Sequence, residues 1–110
     1  MHNHVELATA AQRDLRRLGP GMPRERILAA LSDELTAVPQ PENLDIKAIV
    51  GAAPWLRLRI GDYRVLYRPL TAAELAELAR RHGSLDGPEG FLVQRVIHRR
   101  DLERAVAALP

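Results

Sequence analysis

Residues 55–69, WLRLRIGDYRVLYRP, leave this chain little freedom of backbone. Leu56, Leu58 and Ile60 alternate with Arg57 and Arg59, the period-two pattern of a half-buried strand. Tyr63, Val65 and Tyr67 then alternate with Arg64, Leu66 and Arg68. Between the two runs stands Gly61-Asp62, a two-residue hairpin turn. That turn dictates the register: Ile60 opposite Tyr63, Arg59 opposite Arg64, Leu58 opposite Val65 and Arg57 opposite Leu66. The apolar residues of both strands then share one face with Tyr63 and Tyr67, and Arg57, Arg59, Arg64 and Arg68 share the other. Like charges facing each other across a sheet are destabilising. An Arg59–Arg64 pair is therefore a poor choice for stability alone, and a bound polyanion would remove the penalty.

The rest of the chain reads as support for this hairpin. His4 to Ala8 is a short strand candidate. Thr9 is placed to cap a helix over Ala10–Leu18, with Gln12 in capping-box position. Gly19-Pro20-Gly21-Met22-Pro23 interrupts, and Pro23 suits the first turn of a second helix reaching Leu35 or Val38. Its apolar set is Ile27, Leu28, Leu31 and Leu35, so the two helices read as an αα-hairpin. Residues 39–43 connect, and 44–53 read as mostly irregular. After the β-hairpin, Thr71 and Glu74 form a capping box for an inserted helix, Ala72–His82. Phe91–His98 is apolar on both parities, as expected of a central strand covered on both sides. Asp101–Leu109 is a C-terminal helix with Leu102, Ala105, Val106 and Leu109 as its stripe. The expectation is one domain, 1–110, of α+β class: a small, mostly antiparallel sheet with an N-terminal αα-hairpin, an inserted helix and a C-terminal helix, in the order β-α-α-β-β-α-β-α.

The net charge is only +2, but it is unevenly placed. Residues 55–70 hold four arginines against one aspartate, and residues 91–110 hold four against two acids, whereas residues 71–90 are net acidic. Fifteen of the sixteen basic residues are arginine, whose planar fork of donors matches phosphate. High-GC codon usage accounts equally well for the arginine-to-lysine ratio, though not for the clustering. Cysteine is absent, which excludes disulfides and thiolate metal sites and suits a reducing cytoplasm. The N-terminus lacks the apolar run of a signal peptide, and no stretch approaches the ~20 apolar residues of a membrane span. His2, His4, His82 and His98 have no ligand spacing, so neither metal nor other cofactor is expected.

Three segments together resemble the RelE/ParE superfamily of type II toxin–antitoxin toxins. They are Gln12–Leu18 (QRDLRRL) after the opening strand, Leu58–Tyr67 (LRIGDYRVLY) close to the family's R-x-G-D-Y-R-x-x-Y hairpin, and Val96–Leu102 (VIHRRDL) like its strand end. They fall in the family's order and span nearly the whole chain. The resemblance implies one of two activities. RelE-branch members are endoribonucleases that cleave mRNA, typically in the ribosomal A site, without metal. ParE-branch members poison DNA gyrase. Both are neutralised by an antitoxin, which implies a small acidic or amphipathic partner encoded next door, binding over the basic face or along Leu102–Leu109. Two departures stand out. Glu103 occupies the position where cleaving members carry a tyrosine, and the segment holding the Thr71–His82 helix is longer than usual.

Metal-free RNA cleavage uses the ribose 2′-OH against its own 3′-phosphate. The enzyme must align that group, stabilise charge on phosphorus and move protons. Arg64, in the motif core, and Arg59 are the candidates for charge stabilisation. Arg99 joins them through the resemblance, which implies a basic residue near the phosphate at the end of the last strand. His98 is the residue of these motifs whose ordinary pKa suits proton transfer. Arg57, Arg68, Trp55 and Arg95 are candidate RNA-binding residues. Each has a plainer alternative: a solvated strand face for the hairpin arginines, a surface role for Arg68, a structural salt bridge for Arg95, a structural histidine for His98, and for Trp55 an anchor against the 48–54 loop. The leading expectation is thus a cytoplasmic toxin acting as an mRNA endoribonuclease, with mRNA, the ribosome and an antitoxin as partners. The alternatives are a ParE-like gyrase-binding toxin, a family member acting only through antitoxin or nucleic-acid binding, and an RNA-binding accessory domain.

Overall fold

In the computed structural model, which describes residues 1–110, the chain runs β1 (His4–Leu7), α1 (Thr9–Leu18), α2 (Met22–Ala29), β2 (Ile46–Ala48), β3 (Leu56–Ile60), β4 (Tyr63–Pro69), α3 (Ala72–His82), β5 (Gly90–His98) and α4 (Leu102–Ala107). A π-helical turn, Ala30–Leu35, continues α2, and a 3₁₀ turn, Arg99–Asp101, precedes α4. The five strands form one sheet in the order β1-β5-β4-β3-β2, antiparallel except for the β1–β5 pair. The class is α+β, as the periodicities require.

The hairpin adopts the register fixed by its turn, from Ile60 opposite Tyr63 through Arg59–Arg64 to Leu56 opposite Tyr67. Gly61 makes the turn possible, because its φ of 59° lies in the left-handed region that a side chain disfavours. Leu58, Ile60, Val65 and Tyr67 enter the main core, where they meet Ala11 and Leu15 of α1 and Ile27, Ala30, Leu31 and Leu35 of the second helix. Each such aliphatic side chain, fully buried, contributes about 1.5–3 kcal/mol. Tyr67 packs edge-on against Phe91 with ring centroids 5.7 Å apart, and burial pushes its phenol up to about 12.

β5 is central, but its two apolar parities have a cause the alternation does not announce. Leu66 faces Arg95 and Tyr67 faces Val93, so the register slips at Gln94. One extra residue in a bulge reverses which face the following residues meet. Phe91 and Val93 on one side of the bulge, and Val96 on the other, therefore all reach the main core. Ile97 turns to the opposite face, where it joins Leu66 and Ala105 of α4 in a second, smaller cluster.

Four expectations need correction. Residues 44–53 include β2, an edge strand whose Ile46–Ala48 pair with Leu58–Leu56; a three-residue strand is too short for alternation to reveal it. Thr9 is not a cap: Ala8 holds the extended N-cap backbone, and Gln12 Nε2 instead donates to the Leu7 carbonyl at 3.0 Å, because the chain enters α1 directly from β1. Leu28 is exposed: the buried stripe runs through Ile27, Ala30, Leu31 and Leu35, and Leu28 falls at its margin. The stripe of the last helix is already engaged, Leu102, Val106 and Leu109 covering the Leu66–Ile97 patch, so it is not a vacant antitoxin groove.

The Thr71–Glu74 capping box forms as expected, with the Glu74 N–H donating to Thr71 Oγ1 and the Thr71 N–H to Glu74 Oε1. Arg68 adds a two-pronged pair to the same carboxylate, at 2.8 and 3.0 Å. The Arg68 hydrogen bond, followed by the Thr71 N–H, holds the Glu74 carboxyl down from 4.5 to about 2. A carboxyl depressed on folding stabilises above its unfolded pKa, and that contribution is lost as pH falls from about 4.5 towards 2. The side chain is partly exposed, so the loss is screened to about 1 kcal/mol. Thermal melts of the wild type and Glu74→Gln between pH 5 and 2 should show the acid-induced drop in the former and a flatter profile in the latter.

Candidate functional site

The basic face of the hairpin is not uniform. At its centre Leu66 is fully buried beneath α4, and the arginines stand around that patch. Those nearest the turn form one group. Arg57, with only 16% of its side chain exposed, reaches Asp45 Oδ1 at 3.4 Å, and Arg59 lies 3.9 Å from Oδ2 of the same carboxylate. Asp45 is fixed just before β2, where its carbonyl accepts the Arg59 N–H at 3.0 Å. Arg99 joins from the end of β5: its N–H donates to the Asp62 carbonyl at 2.8 Å, and its Nε lies 3.7 Å from the Asp62 carboxylate.

Arg64 differs from the other three. Its Nη1 donates to the carbonyls of Gly61 (3.0 Å) and Tyr63 (2.9 Å), which folds the guanidinium back over the turn. No carboxylate lies within ion-pair distance of it. Burial lowers its pKa first, and the charges of Arg59, Arg57 and Arg99 lower it further, against a smaller opposing effect of Asp45. Four guanidiniums thus share two carboxylates, and the least compensated is held in place by main-chain carbonyls. A site so built gains from an anion that accepts several donors at once.

The other candidates lie elsewhere. Arg68 is spent on Glu74 and lies 5.8 Å from the ring centroid of Trp55. Trp55 itself is 6% exposed and anchors the start of β3. Arg95 is held by Asp14, Nε to Oδ2 at 2.8 Å and Nη2 to Oδ1 at 3.1 Å. His98 pairs with Tyr63 across the sheet, one residue out of phase with Arg64 and Ile97, so it turns to the other face. There its ring meets Tyr63 edge-on at 5.5 Å, and its Nδ1 accepts the Arg100 N–H at 3.2 Å. Glu103 is exposed on α4.

Sequence reasoning missed Asp45 and Asp14. Asp45 stands in the segment read as irregular, where nothing marks it. Asp14 carried a signal: it occupies the Ala11–Leu15–Leu18 stripe of α1, and a carboxylate on an apolar helix face asks for a buried cation. Arg95, a cation in an apolar strand, asks for the converse. Asp14 is buried and also accepts the Val96 N–H at 2.9 Å. No group of three or more His, Cys, Asp or Glu side chains is placed to hold a metal ion, and no helix is long and apolar enough to cross a membrane.

Comparison with known proteins agrees with this architecture. A family model described as the ParE toxin of type II toxin–antitoxin systems, parDE, matches residues 5–103. No curated protein matches the chain. Among solved structures, the RelB–RelE antitoxin–toxin complex of Methanococcus jannaschii is similar at TM-score 0.54 and 23% identity, over 90% of this chain and 95% of that one. The RelBE2 toxin–antitoxin complex of Mycobacterium tuberculosis is similar at TM-score 0.59 and 23% identity, over 90% of this chain and all of that one. At such identity the likeness is one of fold.

Proposed function

Because the chain belongs to the ParE toxin family of type II toxin–antitoxin systems, we propose that it arrests growth as an endoribonuclease that cleaves mRNA at the Arg57–Arg59–Arg64–Arg99 cluster. The observation that carries this reading is Arg64: a guanidinium pinned by two carbonyls, crowded by three like charges and given no carboxylate. A phosphodiester supplies the missing negative charge. Bound there, its 3′-phosphate would be aligned for attack by the neighbouring 2′-OH. The fixed guanidiniums would stabilise the extra negative charge on the phosphoryl oxygens as the bond to the 5′-oxygen breaks. Products would be a cyclic phosphate, or its hydrolysis product, and a free 5′-hydroxyl. Translated mRNA on the ribosome is the substrate this reading favours, and the cytoplasm the place. The solved relatives are complexes of toxin with antitoxin, which supports an antitoxin partner for this chain. The basic face around Arg59 and Arg64 is where an acidic segment would bind, since the apolar stripe of α4 is occupied.

A second reading draws on what the cluster lacks. His98 faces away from it and Glu103 stands in place of the family's tyrosine, so the cluster has neither a histidine nor a tyrosine to move protons, and its two carboxylates, Asp45 and Asp62, are paired with arginines. A ParE-like toxin that binds DNA gyrase needs no such group. Mapping RNA 5′ ends after induction without antitoxin separates the two. New 5′-hydroxyl ends at discrete sites in translated transcripts are the expected result. Full growth arrest with intact transcripts and accumulated gyrase–DNA breaks would replace the first reading with the second.

A further inference from the structure

A second gathering of arginines lies around the end of the sheet from the first. β1 stops at Leu7, opposite Val93, so the outer edge of β5 beyond that point has no neighbouring strand. α1 and α4 flank that edge and leave between them a cleft of about 380 Å³. Four arginines line it. Two are already paired, Arg95 to Asp14 and Arg104 to Asp101. The other two, Arg17 and Arg100, are exposed and have no carboxylate within ion-pair distance.

The same cleft is lined by the Tyr63–His98 ring pair. The Arg100 N–H on His98 Nδ1 fixes the imidazole and its tautomer, leaving Nε2 as the N–H. Neither that N–H nor the Tyr63 hydroxyl has a hydrogen-bond partner in the protein. Two guanidiniums, an imidazole N–H and a phenol therefore offer donors and an aromatic surface with nothing to receive them. An extended peptide is a poor occupant. It would bind by pairing with the strand edge, and Asp14 already takes the Val96 N–H there. A phosphate carrying a planar base uses both the charge and the rings.

The position of the cleft adds to this. Successive residues of a strand point to opposite faces. Tyr63 and His98 form the last rung of β4 and β5, and Arg64 follows Tyr63 on the opposite face, so the cleft and the Arg64 side of the arginine cluster stand back to back across the sheet. We infer that the cleft between α1 and α4 is a nucleotide subsite. Arg17 and Arg100 hold a phosphate, and the Tyr63–His98 pair takes the base or ribose of a nucleotide adjoining the one at the cluster.

This inference rests on the RNA reading, and its test keeps the two apart. The full-length chain is titrated with inorganic phosphate, adenosine 3′-monophosphate and a short unstructured RNA, while NMR follows the rings of His98 and Tyr63. The mononucleotide should shift both rings, more than phosphate alone does, in the wild type and in Arg64→Ala. An Arg17→Ala/Arg100→Ala double variant should bind the RNA about tenfold more weakly, the scale of one charge-assisted contact. Its salt dependence should fall by about 0.7 in slope, one phosphate's worth. If RNA is bound and cut while the rings stay still and the double variant binds like the wild type, the subsite is overturned and the RNA reading survives. Rings that respond equally to phosphate alone overturn it as a nucleotide site, and so does a double variant that loses antitoxin rather than RNA. Rings that move with the mononucleotide while no RNA is cut uphold the subsite and remove the RNA reading.

Discussion

Replacing Arg64 with alanine should abolish growth arrest and lower the rate of RNA cleavage by at least about 10²-fold, the usual scale for removing one fixed donor from a charge-stabilising site. The fold should survive. Arg64 makes only two hydrogen bonds, both to the turn it sits on, and its removal also relieves repulsion from Arg57, Arg59 and Arg99. The net change in stability should stay within about 1 kcal/mol. Arg64→Lys separates charge from shape: lysine restores the positive charge but not the planar fork, so partial activity is expected. Growth of cells induced without antitoxin, cleavage of a defined transcript and a thermal melt of each variant make the comparison. A folded Arg64→Ala protein that still arrests growth at full strength would move the site away from this cluster.

The largest loss of stability should come from a residue that takes no part in that chemistry. Asp14 is buried, holds both Nε and Nη2 of Arg95, and accepts the Val96 N–H where β5 has lost its neighbour. Asp14→Ala strands a half-buried guanidinium and an open strand N–H together. Removing one partner of a buried ion pair costs about 3–5 kcal/mol. Arg95 keeps some contact with water, which places the expected value near about 3 kcal/mol, a large part of the ~5–15 kcal/mol that holds a small domain together. Chemical denaturation should show it as a lower midpoint at unchanged slope. Exchanging both members for leucine should recover most of the loss, because the cost lies in the unpaired charge rather than in the missing attraction. A double variant no more stable than Asp14→Ala would show instead that the N–H of Val96 is what Asp14 serves.

These two residues mark different limits of what a sequence discloses. Arg64 was legible because strand geometry is local. A two-residue turn and period-two alternation leave one register, and the register lists the residues on each face. The capping box at Thr71–Glu74 and the helical stripes were legible for the same reason. Asp45 was not, because β2 is a strand only by virtue of pairing with β3; its three residues have no pattern of their own. The side of the sheet that His98 takes was hidden for a related reason. It pairs with Tyr63, one residue out of phase with Ile97 and Arg64, and so looks to the opposite side of the sheet from Arg64.

By itself the sequence determined the hairpin, its register and the α+β class, which follow from short-range periodicity and turn chemistry; the family resemblance rested on the motifs at Gln12–Leu18, Leu58–Tyr67 and Val96–Leu102. Tertiary structure decided how many of the arginines remain available to a ligand. Whether a guanidinium is neutralised depends on which carboxylate reaches it, and Glu74, Asp14 and Asp45 reach theirs from separate elements of the fold. The bulge at Gln94 and the early end of β1 decided the rest, opening a cleft beside β5 that no local pattern announces. Pairing energies depend on distance through space, and distance along the chain records that only within a turn or two of helix or a single hairpin.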